Sequence, residues 1–360
     1  MNDLGPSIRA TICWLALLGG LACGSDATGV RPPIPGGADT TDTTGLRTYA
    51  ARRNLLIGSA IDRGFRYPGS DGVTFRTTMA HEFNVLTPEN DMKFDHLHPS
   101  RDAYRFASAD SLVAFAESNG MKVRGHNLLW HQQLPSWLTS GAWTKAQAES
   151  LLADHVTTVV SHYRGRVTEW DVVNEAFNDD GTMRAGFWLD HVGPSYIEQA
   201  LRAAHAADPG AALYINDYNV EGIGRKSDSL LALAKDLRAR GVPLDGVGFE
   251  SHFIVGGVPS TLAENMARFA VTGLEVHITE LDVRIQLPAT GVSLTQQGTD
   301  YAAVVGACVT SPACGEVVVW GFTDRESWIP NAFPGWGAAT LMDAGYGRKA
   351  GYEGVRGVLK

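Results

Sequence analysis

The chain has 360 residues, of which 44% are hydrophobic, and its formal net charge at pH 7 is −9. This length and hydrophobicity are enough to bury a large core, which excludes a wholly disordered chain. The acidic balance, without a run of basic residues, repels phosphate and argues against nucleic acid as a partner.

The N-terminus has the pattern of an export signal. Arg9 precedes a short apolar stretch, residues 12–18, and small residues lead from there to Cys23. This pattern is typical of a signal peptide over residues 1–23 and is too short for a comfortable transmembrane helix. Leu-Ala-Cys23 also resembles a bacterial lipobox, in which the cysteine is lipidated and becomes the new N-terminus. Plain cleavage and release is the alternative, so we expect a bacterial protein that is secreted or lipid-anchored at the cell surface.

The segment that follows the export signal, residues 24–45, consists mostly of glycine, serine, threonine, aspartate and proline. Such a composition cannot bury a core and predicts a disordered linker. Behind a lipidated Cys23, this linker would be a membrane tether that holds the following domain away from the lipid surface.

From residue 54 onward, short apolar runs alternate with amphipathic helical stretches. The runs are rich in β-branched residues and nearly continuous, as expected of strands that are buried on both faces. We predict eight of them, over residues 55–58, 84–86, 122–124, 169–173, 212–215, 246–249, 275–278 and 317–320. Helices are predicted between the strands, for example over residues 146–163, 196–207 and 224–240.

Eight strand–helix units over residues 46–360 predict an α/β protein with a single (β/α)8 TIM barrel domain. An open doubly wound sheet is the alternative, but no Gly-x-Gly-x-x-Gly follows the first strand. Polar and aromatic residues follow almost every predicted strand. In a barrel these strand ends open onto one mouth, where we expect the functional site.

Two of the predicted strands lead into a glutamate: Trp-Asp-Val-Val-Asn174-Glu175 and His-Ile-Thr-Glu280-Leu-Asp282. A charge at the exit of a buried strand is costly, so two of them at one mouth suggest a shared task. A pair of carboxyl groups can hydrolyse a glycosidic bond, one protonating the leaving oxygen while the other attacks the anomeric carbon. Taken singly, a glutamate at a strand end is more often an ion-pair partner or a helix cap.

Asp282 is expected on the same face as Glu280, because alternate residues of a strand share a face. Two such charges need a cation or a hydrogen-bond donor between them, and His252 is the candidate. A histidine that bridges Asp282 and Glu280 would keep Glu280 ionised and oriented.

The segment from Gly125 to Trp137 contains His126, Trp130, His131 and Gln133. We interpret it as a sugar-recognition segment, in which histidine and glutamine contact hydroxyl groups and indole rings stack on sugar faces. Core packing is the alternative for Trp130 and Trp137. A metal site is a weaker interpretation, because no carboxylate stands at the spacing of a metal triad.

Two cysteines lie outside the export segment, Cys308 and Cys314. An even pair in an exported protein suggests a disulfide that closes a small loop. A zinc site is not expected, since no second Cys or His pair has matching spacing.

Six motifs together resemble one family, the endo-β-1,4-xylanases of glycoside hydrolase family 10. They are Trp170-Asp-Val-Val-Asn-Glu175-Ala-Phe, Ile278-Thr-Glu280-Leu-Asp282-Val, Gly125-His126 through Trp130-His131, Glu89-Asn90-Asp-Met-Lys93, Tyr214-Ile-Asn-Asp-Tyr218-Asn and Val319-Trp320-Gly. The resemblance runs from about residue 46 to the C-terminus in the family's order.

The resemblance implies that Glu175 is the acid/base and Glu280 the nucleophile of a retaining xylanase. It also implies the disulfide between Cys308 and Cys314. Xylan and xylo-oligosaccharides are the expected partners, no cofactor or metal is expected, and a monomer is expected. The expected substrate-binding residues are Glu89, Asn90, Lys93, His126, Trp130, Gln133, Asn174, Tyr218, His252, Trp320 and Trp328, with Asp282, Glu250 and His131 in support.

One position departs from the family pattern. In Gly248-Phe-Glu250-Ser-His252, a glutamate stands where we expect glutamine in many members. Glutamine can donate a hydrogen bond to a carboxylate, whereas an ionised glutamate cannot, and a third carboxylate could raise a neighbour's pKa. The departure leaves the pH optimum open. Two other functions also stay open from the sequence: hydrolysis of another β-1,4-glycan, and non-catalytic sugar binding.

Overall fold

Eight parallel strands pair side by side and close into a ring within residues 42–360, the part of the chain that the computed structural model describes. The first strand of the ring pairs with the second strand and also with the last strand of the ring, which closes the barrel. The predicted (β/α)8 barrel and its eight strands are therefore confirmed. Within the described residues there are ten strands, the eight of the ring and two more: β1 (Leu56–Ile61), β2 (Val85–Pro88), β3 (Lys122–Leu129), β4 (Glu169–Asn174), β5 (Ala212–Asp217), β6 (Gly246–Phe249), β7 (His252–Ile254), β8 (Glu275–Gln286), β9 (Glu316–Val319) and β10 (Trp336–Gly337).

Two of these strands, β7 and β10, lie outside the ring and pair with the far half of β8. Their pairing extends β8 to Gln286, eight residues beyond its predicted end at Ile278. Glu280 and Asp282 therefore lie within a strand rather than after one. Strand β3 is also longer than predicted and includes His126.

Helices follow the strands and cover the outside of the barrel. Residues 196–207 form the predicted helix, and the other two named helices differ from the prediction by one residue at each end. The helices are α1 (Leu46–Arg52), α2 (Gly69–Glu82), α3 (Phe94–Leu97), α4 (Ala107–Ser118), α5 (Ser136–Thr139), α6 (Lys145–His162), α7 (Phe187–Val192), α8 (Tyr196–Ala207), α9 (Arg225–Ala239), α10 (Leu262–Ala270), α11 (Gly291–Thr310), α12 (Ile329–Ala332) and α13 (Ala350–Leu359), with a 3-10 helix at Arg63–Arg66.

Local sequence explains where the long helices begin. Thr144 caps α6 by accepting a hydrogen bond from the backbone N–H of Gln147, whose side chain bonds back to Thr144. Thr290 and Ser293 form the same reciprocal cap at α11. Each cap satisfies backbone donors that a helix start would otherwise leave unpaired, so it fixes the first residue of the helix.

The disulfide between Cys308 and Cys314 is present and joins the end of α11 to the residues before β9. At the other end of the described chain, the Asp42 carboxylate lies 2.7 Å from Lys360 Nζ, so residue 42 contacts the C-terminus. Within residues 42–360, no helix is both long and apolar enough to cross a membrane. The predicted signal peptide, Cys23 and most of the predicted linker lie outside the described residues, and the domain boundaries stay predictions.

Candidate active site

Glu175 stands directly after β4 with an unusual backbone conformation. Its φ is +54°, in the left-handed region that costs a non-glycine residue about 1 kcal/mol. Two contacts hold this conformation: the Glu175 N–H donates to the Asn216 carbonyl at 2.8 Å, and Arg184 Nε donates to the Glu175 carbonyl at 3.0 Å. The β4–β5 pairing thus aims the Glu175 carboxyl group into the mouth.

The surroundings of Glu175 favour its protonated form. Burial raises the pKa of this carboxyl group, and the charge of Glu280 raises it further. The Trp130 indole N–H and the Arg184 guanidinium act in the opposite direction but do not cancel the rise. His131 Nδ1 lies 3.8 Å from Glu175 Oε2. A carboxyl group whose pKa is raised holds its proton more readily, so it can act as a general acid.

Glu280, on β8, is held in the opposite state. Burial alone would raise its pKa, but interactions with His126 and His252 lower it below the usual value. Asn216 Nδ2 donates to Glu280 Oε1 at 2.8 Å, and His252 Nε2 lies 3.2 Å from Oε2. Both carboxylate oxygens therefore face donors, which stabilise the ionised form.

His252 lies between two carboxylates, in the arrangement expected from the sequence. Its Nδ1 is 3.0 Å from Asp282 Oδ2, while its Nε2 faces Glu280. Burial lowers the pKa of His252, but Asp282 and then Glu280 outweigh it and raise the value to about 10. The ring is thus an imidazolium at neutral pH. Trp328 Nε1 donates to the same Asp282 oxygen at 2.7 Å, which ties Trp328 to this row.

Asn216, at the carboxyl end of β5, was missed as a site residue. Its Nδ2 donates to Asn174 Oδ1 at 2.8 Å as well as to Glu280, and its Oδ1 accepts from Thr279 Oγ1 at 2.6 Å. The Thr279 bond fixes which end of the amide faces Glu280. The sequence signal for Asn216 is the motif Tyr214-Ile-Asn-Asp-Tyr218-Asn, of which Tyr218 alone is among the predicted site residues.

A second group of predicted residues gathers on the β2–β3 side of the mouth. Asn90 Oδ1 accepts from Lys93 Nζ at 3.3 Å and from Gln133 Nε2 at 3.2 Å. The Lys93 ammonium lies 4.8 Å from the ring centroid of Trp130. Burial and the charge of Asp62 raise the pKa of Glu89 to about 7. These amide, ammonium and indole groups can contact hydroxyl groups and a ring face of a sugar.

The remaining predicted residues surround the two glutamates. His126 Nδ1 lies 3.0 Å from Asp171 Oδ2, and its ring meets Trp320 edge-on. Tyr218 packs against Arg184 and Lys226, and its hydroxyl accepts from Arg184 Nη2 at 2.7 Å. Trp137 instead donates to the His98 carbonyl and packs on Phe94.

Among the described residues, two groups of three have the spacing of metal ligands. In Glu169, His277 and Glu316, the Arg124 guanidinium already lies between the side chains, 2.7 Å from Glu169 and 3.2 Å from Glu316. In Glu250, His252 and Glu280, both ring nitrogens of the histidine face carboxylates. Each group is therefore organised around a cation of the protein itself.

The mouth of this (β/α)8 barrel holds two carboxyl groups, one with a raised pKa and one with a lowered pKa. Side chains that can bind sugars surround them. This combination defines a glycoside hydrolase. The sequence profile of glycosyl hydrolase family 10 matches residues 45–358. The chain belongs to this family.

Characterised proteins support the assignment. The chain is 47% identical over 318 residues to endo-1,4-beta-xylanase A of Phanerodontia chrysosporium, covering 88% of this chain and 77% of the relative. It is 43% identical over 317 residues to endo-1,4-beta-xylanase B of Thermotoga neapolitana, covering 88% and 91%. The crystal structure of xylanase 10B from Thermotoga petrophila in complex with xylobiose is similar, with a TM-score of 0.86 and 43% identity over 88% of this chain and 98% of that one.

Proposed function

We propose that the protein is a retaining endo-1,4-β-xylanase that cleaves internal bonds of xylan by double displacement. The observation that carries the mechanism is the opposite pKa shift of the two glutamates in one mouth, upward for Glu175 and downward for Glu280. The substrate class is inferred from the relatives, which are named endo-1,4-beta-xylanases and align with most of this chain.

In the first step, an ionised Glu280 oxygen forms a bond to the anomeric carbon while the bond to the leaving oxygen breaks. Glu175 gives its proton to that oxygen, so the leaving chain departs as an alcohol. In the second step, the Glu175 carboxylate takes a proton from water, and the water oxygen displaces Glu280 from the anomeric carbon. Two inversions give retention, and both glutamates return to their starting states.

The surroundings of each glutamate suggest which sugar it serves. Arg184 donates to the Glu175 carbonyl and also to the Tyr218 hydroxyl, so we assign both residues to the leaving sugar. Asn90, Lys93 and Gln133 form one hydrogen-bonded group on the other side and are assigned to the sugar that Glu280 attacks. His126, Asn174, His252, Trp320 and Trp328 line the space around Glu280, and Glu89 and Trp130 complete the Lys93 side.

Hydrolysis of xylan, measured beside carboxymethylcellulose, tests the substrate class. Activity on xylan alone supports the proposal, activity on both polymers favours a broader β-1,4-glycanase, and activity on neither overturns an enzymatic role. Proton NMR of the first-formed reducing ends tests the mechanism. A β-anomer as first product is expected, and an α-anomer would show inversion.

Substitution of the nucleophile gives an independent test of the roles. Glu280→Ala should lower kcat by at least about 10⁴-fold, because no group remains to attack the anomeric carbon. Azide can then enter the space left by the side chain and restore turnover with an α-glycosyl azide product. Rescue with a β-product would contradict the assignment of Glu280. Glu175→Ala is the matched control, for which azide should give the β-product.

The export pattern supports a proposal about location. We infer that the enzyme acts outside the cytoplasm as a monomer, either released or held by a lipid on Cys23 through the linker. Mass spectrometry of the mature N-terminus distinguishes the two cases, since only lipidation leaves a diacylated cysteine as the first residue.

A further inference from the structure

Glu250 follows β6 directly and is only 2% exposed. Its backbone is fixed from both sides: the Glu250 N–H donates to the Asp217 carbonyl at 3.1 Å, and its carbonyl accepts from the Glu280 N–H at 2.9 Å. These bonds to β5 and β8 hold the backbone of residue 250 at the mouth. The two-glutamate mechanism assigns it no step.

The carboxyl group of Glu250 shares its donors with Glu280. Asn216 Nδ2 lies 3.2 Å from Glu250 Oε1 but 2.8 Å from Glu280 Oε1. His252 Nε2 lies 3.8 Å from Glu250 Oε2 but 3.2 Å from Glu280 Oε2. Both shared donors are nearer to Glu280, so they stabilise a negative charge there more strongly than on Glu250.

The charges that face Glu250 are mostly negative. One carboxylate oxygen each from Glu250 and Glu280 and one ring nitrogen of His252 all lie within 4.8 Å of one another. An ionised Glu250 would therefore place a second negative charge beside that of Glu280. The titratable groups around Glu250 are Glu280 on β8, Glu175 after β4, Asp217 on β5, Glu221 after β5 and His252 on β7. Lys226 is directed to Asp217, at 2.8 Å, rather than to Glu250.

We propose that Glu250 is a positioning residue that stays protonated through the catalytic cycle, so that Asn216 and His252 direct their N–H groups to an ionised Glu280. The inference rests on the proposed role of Glu280 as nucleophile. The nucleophile role of Glu280 then depends on the protonation state of a third carboxyl group, that of Glu250.

The electrostatics of the site agree with the geometry. Burial raises the pKa of Glu250 well above its ordinary value, and the charges of Glu280 and Glu175 raise it further. A protonated carboxyl group resembles a carboxamide in shape and charge, so it can donate as well as accept a hydrogen bond. An ionised Glu250 would instead compete with Glu280 for the same two donors.

The pH profile of Glu250→Gln tests the proposal, because the substitution changes the charge only if Glu250 is ionised. With an aryl β-xylobioside as substrate, we expect both limbs of the kcat/KM profile to stay within about 0.3 pH unit of the wild type. If Glu250 carries a charge in the wild type, its removal lowers the pKa of both Glu175 and Glu280. A shift of both limbs by about 1 unit or more toward acid pH would therefore overturn the proposal.

Infrared difference spectroscopy detects the carboxyl proton of Glu250 directly and does not require an active enzyme. The C=O stretch of a neutral carboxyl group should be present in the wild type above neutral pH and absent from Glu250→Gln. Glu316→Gln is the matched control, because Glu316 is equally buried but has a pKa of about 7, so the band it contributes should disappear as pH rises through that value. Loss of the Glu250 band at the same pH as the Glu316 band would refute the proposal.

The two proposals can fail separately. A wild-type enzyme that is inactive on xylan removes the proposed function, whatever Glu250 does. An active, retaining wild type whose Glu250→Gln profile moves toward acid pH removes only the inference about Glu250.

Discussion

Glu175 and Glu280 are identical side chains whose pKa values are moved in opposite directions by their neighbours. Burial dominates at Glu175, whereas at Glu280 it is outweighed by His126 and His252. The roles of acid and nucleophile are therefore set by partners rather than by residue type. His252 is the partner that separates them most clearly, since its ring joins Glu280 to Asp282.

Replacement of His252 should weaken both stability and activity. His252→Gln leaves two buried carboxylates without their shared cation, which typically costs about 3 kcal/mol. The folded-state pKa of about 10 lies above the ordinary value of 6.5. The stabilisation from His252 is thus fully present below pH 6.5 and is lost as pH rises through about 10. Urea unfolding should show the largest difference at pH 6 and a smaller one near pH 10.

Enzyme kinetics provide a second readout of the same variant. Because His252 lowers the pKa of Glu280, the acidic limb of the pH–rate profile should move upward by about 1 unit in His252→Gln. His205→Gln, on the outer face of α8, is the control and should match the wild type in both measurements. A stability difference that is the same at every pH would show that His252 acts by packing alone.

At the scale of elements, the apolar runs were sufficient to place all eight barrel strands, because each strand is buried on both faces and has a continuous pattern. The end of β8 was not predictable in this way. Its second half is held by β7 and β10, which come from other parts of the chain. A local pattern contains no information about such pairing, so the predicted strand ends at residue 278 rather than at Gln286.

The role of Asn216 was hidden for a similar reason. Polar residues end most of the strands, and the β5 motif alone does not show that Asn216 is the one that donates to Glu280. Its orientation depends on Thr279 of β8 and on the missing side chain of Gly248 in β6, where a Cβ atom would lie 2.0 Å from Asn216 Oδ1. Three strands, β5, β6 and β8, thus position the Asn216 amide that donates to Glu280. The sequence of any one of them predicts only that polar residues stand at the strand end.

Gly248→Ala should therefore reduce activity more than its size suggests. The added methyl group meets Asn216 and Thr279, which must shift, and overpacking of this kind typically costs about 1–3 kcal/mol. Displacement of Asn216 removes a 2.8 Å donor from Glu280, so kcat should fall by about 10-fold or more. Thermal unfolding and kcat measured on the same preparation separate the two effects.

A second glycine offers a matched control in an open position. Gly306 lies within α11, and a Cβ atom there would have nothing within 4 Å. Gly306→Ala should raise stability by about 0.5–1 kcal/mol, because alanine loses less backbone entropy in a helix. Unchanged kcat in this variant, beside reduced kcat in Gly248→Ala, would attribute the loss to Asn216. Equal kcat in both variants would contradict that role.

At the scale of the whole molecule, buried charges continue from one end of the barrel to the other. Arg124, on β3, contacts Glu169, Glu316 and Asp171 near the start of the strands. Asp171 in turn lies 3.0 Å from His126, and His126 lies 3.8 Å from Glu280. These acidic and basic side chains form a continuous row through the interior, here called the charge row, so the ionisation of a group at the far end bears on the stability of the entire barrel.

Glu316 is the group in this row whose titration should be visible in stability. Burial and the charge of Glu169 raise its pKa to about 7, although Arg124 and His277 act in the opposite direction. The folded state therefore binds this proton more tightly than the unfolded state, in which the value is 4.5. The contribution to the free energy of unfolding is full below pH 4.5 and is lost as pH rises through about 7.

Glu316→Gln should remove this dependence, because the amide stays neutral at every pH. The variant should match the wild type near pH 4.5 and become relatively more stable toward pH 8, by at most about 3 kcal/mol. Chemical unfolding at several pH values measures the difference, with Glu264→Gln on the exposed face of α10 as the control that should follow the wild type. If Glu316→Gln instead loses stability increasingly as pH rises, then ionised Glu316 strengthens its contact with Arg124 more than burial penalises it. The charge row would then be a net source of stability at neutral pH.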